Sequence, residues 1–87
     1  MTTQQQIWAD GKLIPWQDAT VHVTAHALHY GSSVFEGIRA YATPDGPAIL
    51  GLAQHTRRFF QSSKMFRITI PFSEAEINQA TLETVRV

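Results

Sequence analysis

Apolar positions alternate in short runs over the first half of the chain and fall into a helical period over the second. Ile7-Trp8-Ala9 reads as a short strand, Asp10-Gly11 as a hairpin turn, and Lys12-Leu13-Ile14-Pro15 as the antiparallel return. Trp16–Thr20 is loop-like, with Val21 and Val23 alternating after it. His26–Tyr30 fits one helical turn stopped at Gly31. Ser33–Tyr41 is predicted as a strand, Thr43-Pro44-Asp45-Gly46-Pro47 as a turn, and Ala48-Ile49-Leu50 as the strand that pairs back. The period then changes. Leu52, Phe59 and Phe66 recur every seven residues and share one helical face, which is expected to be buried against the strands. Pro71 bars continuation past Ile68–Ile70. Ser73-Glu74-Ala75-Glu76 has capping-box spacing, so a second helix starts there. It reaches Thr84-Val85-Arg86-Val87 with no Gly, Asn or Pro to stop it, as in a frayed terminus or a chain cut inside an element. The fold class is therefore α+β, antiparallel strands first and two helices after.

Composition narrows the class. The chain has 87 residues, enough for one small domain with a marginal core, and no cysteine to staple it. Seven Lys and Arg balance seven Asp and Glu, so no net field draws nucleic acid or a membrane surface. Apolar residues make up 44%, which favours folding over disorder. The first residues lack the basic start and apolar run of a signal peptide, and the expectation is a soluble, cytoplasmic protein.

The run HALHYGSSVFEGIRAY, His26 to Tyr41, carries most of the polar and aromatic groups that could do chemistry. In an extended segment Phe35, Gly37, Arg39 and Tyr41 share one face, and Val34, Glu36, Ile38 and Ala40 the other. The first face sets an aromatic, a bare backbone position, a cation and a phenol in a row. A glycine there marks either close approach by a ligand or a bulge on an edge strand with Arg39 in water. On the later helix, at about 100° per residue, Arg57 points away from the apolar line with Gln61 and Lys64. Arg58 lies at its boundary with His55 and Ser62. That guanidinium can bury its stem and aim its head into a neighbouring cavity, where a phosphate or carboxylate suits it, or it can form a surface ion pair. His26 and His29 are one turn apart, but no third ligand is evident among the four histidines, so no metal site is assigned. Lys12 and Lys64 sit at a hairpin tip and on a solvated helix face, neither suited to Schiff-base chemistry.

HALHYGSSVFEGIRAY resembles the N-terminal motif of branched-chain amino-acid aminotransferases, pyridoxal-phosphate enzymes of fold type IV. IWADGKLIPWQDATVHV is similar to the hairpin start of that family, and HTRRFFQSSKMFRI to its first long helix. The resemblance runs from about Ile7 to Val87. It implies that residues 1–87 are the small N-terminal domain, truncated at its C-terminal end, without the larger cofactor domain or its Schiff-base lysine. It implies that Arg58 binds the cofactor phosphate, that Phe35, Gly37 and Arg39 line the substrate pocket, and that Tyr30 reaches into the active site of a partner subunit in a homodimer. The implied reaction moves an amino group between Leu, Ile or Val and 2-oxoglutarate on pyridoxal 5'-phosphate, with the 87 residues inactive alone. Phe35, Tyr30 and Trp16 would then be exposed without the larger domain. The competing readings are an inactive remnant that binds no cofactor, another fold-type IV enzyme such as a D-amino-acid aminotransferase or aminodeoxychorismate lyase, and a plain α+β interaction module.

Overall fold

A computed structural model describes residues 5–31 and 33–86, with the backbone alone for His26. Two antiparallel hairpins and a helical turn precede two longer helices. Strands β1 (Gln6–Ala9) and β2 (Lys12–Pro15) pair with Ile7 opposite Ile14 and Trp8 opposite Leu13. Their two-residue turn needs positive φ, and Asp10 (50°) with Gly11 (100°) supplies it. A 3-10 turn over Trp16–Asp18 follows where the pattern reads as loop. Helix α1 (His26–Tyr30) ends as predicted on Gly31, which takes the left-handed conformation at φ 66°.

Strands β3 (Ala40–Thr43) and β4 (Gly46–Ile49) form the second hairpin, with Tyr41 opposite Ala48. The predicted strand Ser33–Tyr41 is corrected here. Among the described residues, 33–39 join no ladder, and pairing begins only at Ala40. A strand needs a neighbour for its backbone hydrogen bonds, and β4 is only long enough to pair with the last part of the run. The alternation survives without the ladder. Val34, Glu36 and Ile38 turn partly inward, while Phe35, Gly37 and Arg39 face out.

Helix α2 (Leu52–Met65) packs on α3 (Glu74–Arg86). The buried residues of both helices are small: Thr56 and Ser63 on α2 and Ala80 on α3. The Thr56 hydroxyl donates to Asn78 Oδ1, and Ser63 Oγ donates back to the Phe59 carbonyl (2.9 Å). The line Leu52–Phe59–Phe66 is therefore corrected as the buried face. Its first two members are half-buried, but Phe66 is 69% exposed. The buried direction through Thr56 and Ser63 lies about 50° from the predicted one, on the same side of the helix. Phe66 fails for a different reason: the helix ends at Met65, so Phe66 leaves its face as the C-cap. The Arg67 N–H then donates to the Lys64 carbonyl (3.0 Å) and the Ile68 N–H to that of Ser63 (2.8 Å), which is the Schellman pattern.

Helix α3 starts with the predicted capping box. The Glu76 N–H donates to Ser73 Oγ (3.1 Å) and the Ser73 N–H to Glu76 Oε1 (2.9 Å). These bonds hold the Glu76 carboxyl below its usual pKa, the backbone bond from Ser73 contributing most. Just upstream, Phe72 meets Trp8 edge-on, with ring centroids 5.1 Å apart, and so ties the first hairpin to this end of α3.

Candidate functional site

The outward face of segment 33–39 and the start of α2 enclose the candidate site. Gly37, Arg39 and Tyr41 line a cavity of about 400 Å³ with Leu50 and His55. A second hollow of about 350 Å³ shares Leu50 and His55 with it and is bounded by Gly51, Gln54 and Arg58. Arg58 therefore stands one side chain away from the wall formed by Gly37 and Arg39. A Cβ built on Gly37 would meet nothing within 4 Å, so the glycine leaves open space in front of the backbone rather than relieving a clash. Phe35 is 88% exposed on the same face. Tyr30 lines a different hollow, of about 330 Å³, with Gly31, Ser33, Phe66 and Ile68.

One charged cluster holds this arrangement together. Glu36 points inward from the extended segment and is met by Arg58, through Nε at 3.0 Å and 3.2 Å and through Nη2, and by His55 Nδ1 at 2.8 Å. The Glu36 side chain is only 10% exposed, that of Arg58 65%. Hydrogen bonds from Arg58 and then His55 hold the Glu36 carboxyl at about 2, and the same contact raises the Arg58 pKa. Arg58 uses only one edge of its guanidinium in this contact. Nη1 makes no hydrogen bond among the described residues and keeps its donors, and Arg58 lines the second hollow. A phosphate fits that donor set, because a guanidinium can bind one carboxylate and one phosphate on different edges.

Sequence reasoning placed Arg58, Gly37 and Arg39, and the structure brings the three to two adjoining hollows. It missed Glu36, grouped there with the packing aliphatics. The signal was present: an acid on an inward face is rarely buried unless paired, and Arg58 is the boundary cation of the next helix. The histidines have ordinary partners. His29 Nε2 bonds the Val23 carbonyl, His22 Nδ1 lies 2.7 Å from Thr24 Oγ1, and the His26 side chain lies outside the described residues. A larger groove of about 640 Å³ passes Arg57, Lys64 and Arg67, shares no residue with the site, and has only exposed charged groups.

No family model matches the chain. Curated relatives and solved structures do. The branched-chain-amino-acid aminotransferase of Pseudomonas aeruginosa is 55% identical over 80 residues, 92% of this chain and 26% of that protein. The enzyme of that name from Escherichia coli is 42% identical over 88 residues, 28% of its length. Among solved structures, a T.th. branched-chain amino acid aminotransferase complexed with N-(5'-phosphopyridoxyl)-L-glutamate superposes with a TM-score of 0.91 at 51% identity. That match covers 93% of this chain and 27% of that one. The fold corresponds to the N-terminal domain of these structures, and the chain spans about a quarter of the length of the curated relatives it matches.

Proposed function

Starting from a chain that matches the N-terminal portion of branched-chain-amino-acid aminotransferases, we propose that residues 1–87 form the small domain of a pyridoxal-phosphate transaminase. The substrates are the branched-chain L-amino acids Leu, Ile and Val, with 2-oxoglutarate as amino-group acceptor. The observation that carries this reading is Arg58, braced by Glu36 and His55 beside the wall of Gly37 and Arg39. Arg58 would hold the cofactor phosphate through its open edge. When bound, the cofactor supplies an electron sink for the bonds at the amino acid's α-carbon.

The residues of this chain then bind and orient. Gly37 leaves room for a flat group to lie against the backbone. Phe35, exposed on that face, provides apolar surface for a branched aliphatic side chain. An apolar wall discriminates by about 1–3 kcal/mol per methylene, so related aliphatic substrates are accepted together. Arg39 supplies a cation for a substrate carboxylate at the other end of the face. Tyr30 opens onto a separate hollow, in keeping with service to the neighbouring subunit of a homodimer. Lys12 and Lys64 are exposed and line neither hollow of the site, which supports the reading that the 87 residues do not transaminate alone.

A hybrid tests this reading. Residues 1–87 replace the corresponding quarter of the Pseudomonas aeruginosa relative, and amino transfer from L-leucine to 2-oxoglutarate is followed beside transfer from D-alanine. Transfer from L-leucine, abolished by Arg58→Ala, is expected. Transfer from D-alanine only would move the protein to another fold-type IV class. No activity in a folded hybrid would favour an inactive remnant.

A further inference from the structure

We infer that Glu36 is a positioning residue that fixes Arg58 for an anion and locks the substrate wall to the phosphate anchor. The inference rests on the transaminase reading and goes beyond it. The helix alone leaves Arg58 undirected, since its side chain is 65% exposed and a flexible methylene stem separates its head from the backbone. Glu36 removes that freedom. It takes the Nε and Nη2 edge from a carboxylate that is itself nearly buried and also held by His55. What remains without a bond among the described residues is Nη1, on an arginine that lines the hollow shared with Leu50 and His55. An anion meeting a fixed fork loses less freedom than one that must immobilise a mobile arginine.

The same carboxylate sets register. Glu36 sits between Phe35 and Gly37, and side chains alternate along this segment. With the Glu36 side chain pinned inward to α2, its two neighbours must face outward. A slip by one residue would turn Gly37 away from the cavity it lines and Phe35 away from the exposed face they share. Segment 33–39 has no ladder among the described residues to fix its register, so this pair takes over that task.

A rival role makes the opposite forecast. If Glu36 only offsets the charge of Arg58, removing its charge should strengthen phosphate binding. The test uses the hybrid enzyme and compares pyridoxal phosphate with pyridoxal, which lacks the phosphate. Glu36→Gln is expected to weaken pyridoxal phosphate about tenfold or more, in line with the loss of charged hydrogen bonds. Pyridoxal should change less than about twofold, and Glu36→Asp should restore part of the loss. Equal weakening of both ligands, no change, or tighter pyridoxal phosphate would each overturn the inference. A second measurement needs no variant. In the unmodified hybrid without cofactor, the Arg58 Nε–H resonance should be sharp and protected from exchange, and an averaged, fast-exchanging signal would overturn the inference. Failure of the unmodified hybrid to bind pyridoxal phosphate would instead sink the transaminase reading, and this inference with it.

Discussion

Two residues hold conformations or charges that their surroundings impose. Arg67 occupies the left-handed region at φ 57°, where a Cβ crowds the following carbonyl. It does so because the Schellman turn after α2 requires that conformation at its position. Arg67→Gly should therefore raise the stability of the chain by about 1 kcal/mol, read from chemical denaturation, since glycine meets no such crowding. A loss of stability would mean that the Arg67 side chain makes a compensating interaction. Glu36 is held ionised by Arg58 and His55, its pKa lowered from 4.5 to about 2. A lowered carboxylate stabilises the fold above its unfolded pKa and loses that contribution as pH falls. Stability should thus decline between about pH 4.5 and pH 2, where the unfolded chain takes up the proton first. Glu76, also lowered by its capping bonds, adds to the same slope. Glu36→Gln should flatten the slope in that window without removing it, and an unchanged slope would show that the ion pair is not retained in solution.

At the scale of elements, the link between α2 and α3 is polar at its centre. Thr56 is buried and donates its hydroxyl to Asn78. Thr56→Val keeps the shape and leaves the Asn78 oxygen without its donor, a change expected to cost about 1–3 kcal/mol in a denaturation titration. Thr56→Ser, which keeps the hydroxyl, should cost less. This polar contact is also where the sequence was hardest to read. The hairpin turn at Asp10-Gly11, the stop at Gly31 and the Ser73–Glu76 box were legible because each depends on local chemistry that a few neighbouring residues encode. The buried helix face was legible only in direction. Seven-residue spacing of Leu52, Phe59 and Phe66 indicates which side turns inward, but not that the residues buried there are the small Thr56 and Ser63. Segment 33–39 showed its alternation correctly and its pairing incorrectly, since a ladder depends on a distant partner and alternation does not. For the same reason Arg58 stood out on its helix while its partner Glu36, 22 residues earlier, did not.

The whole molecule is thinly covered. Among the described residues only Ala80, Thr56 and Ser63 are buried, while Phe35, Leu50, Met65, Phe66 and Tyr30 (75% exposed) lie open. Two of these apolar side chains flank the candidate site: Leu50 borders both hollows, and Phe35 projects from the same face as Gly37 and Arg39. Apolar surface gathered at a site, rather than scattered singly, marks a face that another body covers. If that body is the remaining part of a transaminase, the 87-residue chain should bind the rest of the Pseudomonas aeruginosa relative supplied as a separate polypeptide. Covering one large apolar side chain contributes about 1.5–3 kcal/mol, so Leu50→Ser should weaken that association about tenfold or more. The thermal midpoint of the chain alone should stay nearly constant, because the Leu50 side chain it loses is already 81% exposed. Titration by calorimetry distinguishes the cases. Weaker association at constant midpoint places Leu50 in the covered face. An equal fall in midpoint makes Leu50 part of the internal packing, and unchanged association moves the covered face away from the site and toward the open side marked by Met65 and Phe66.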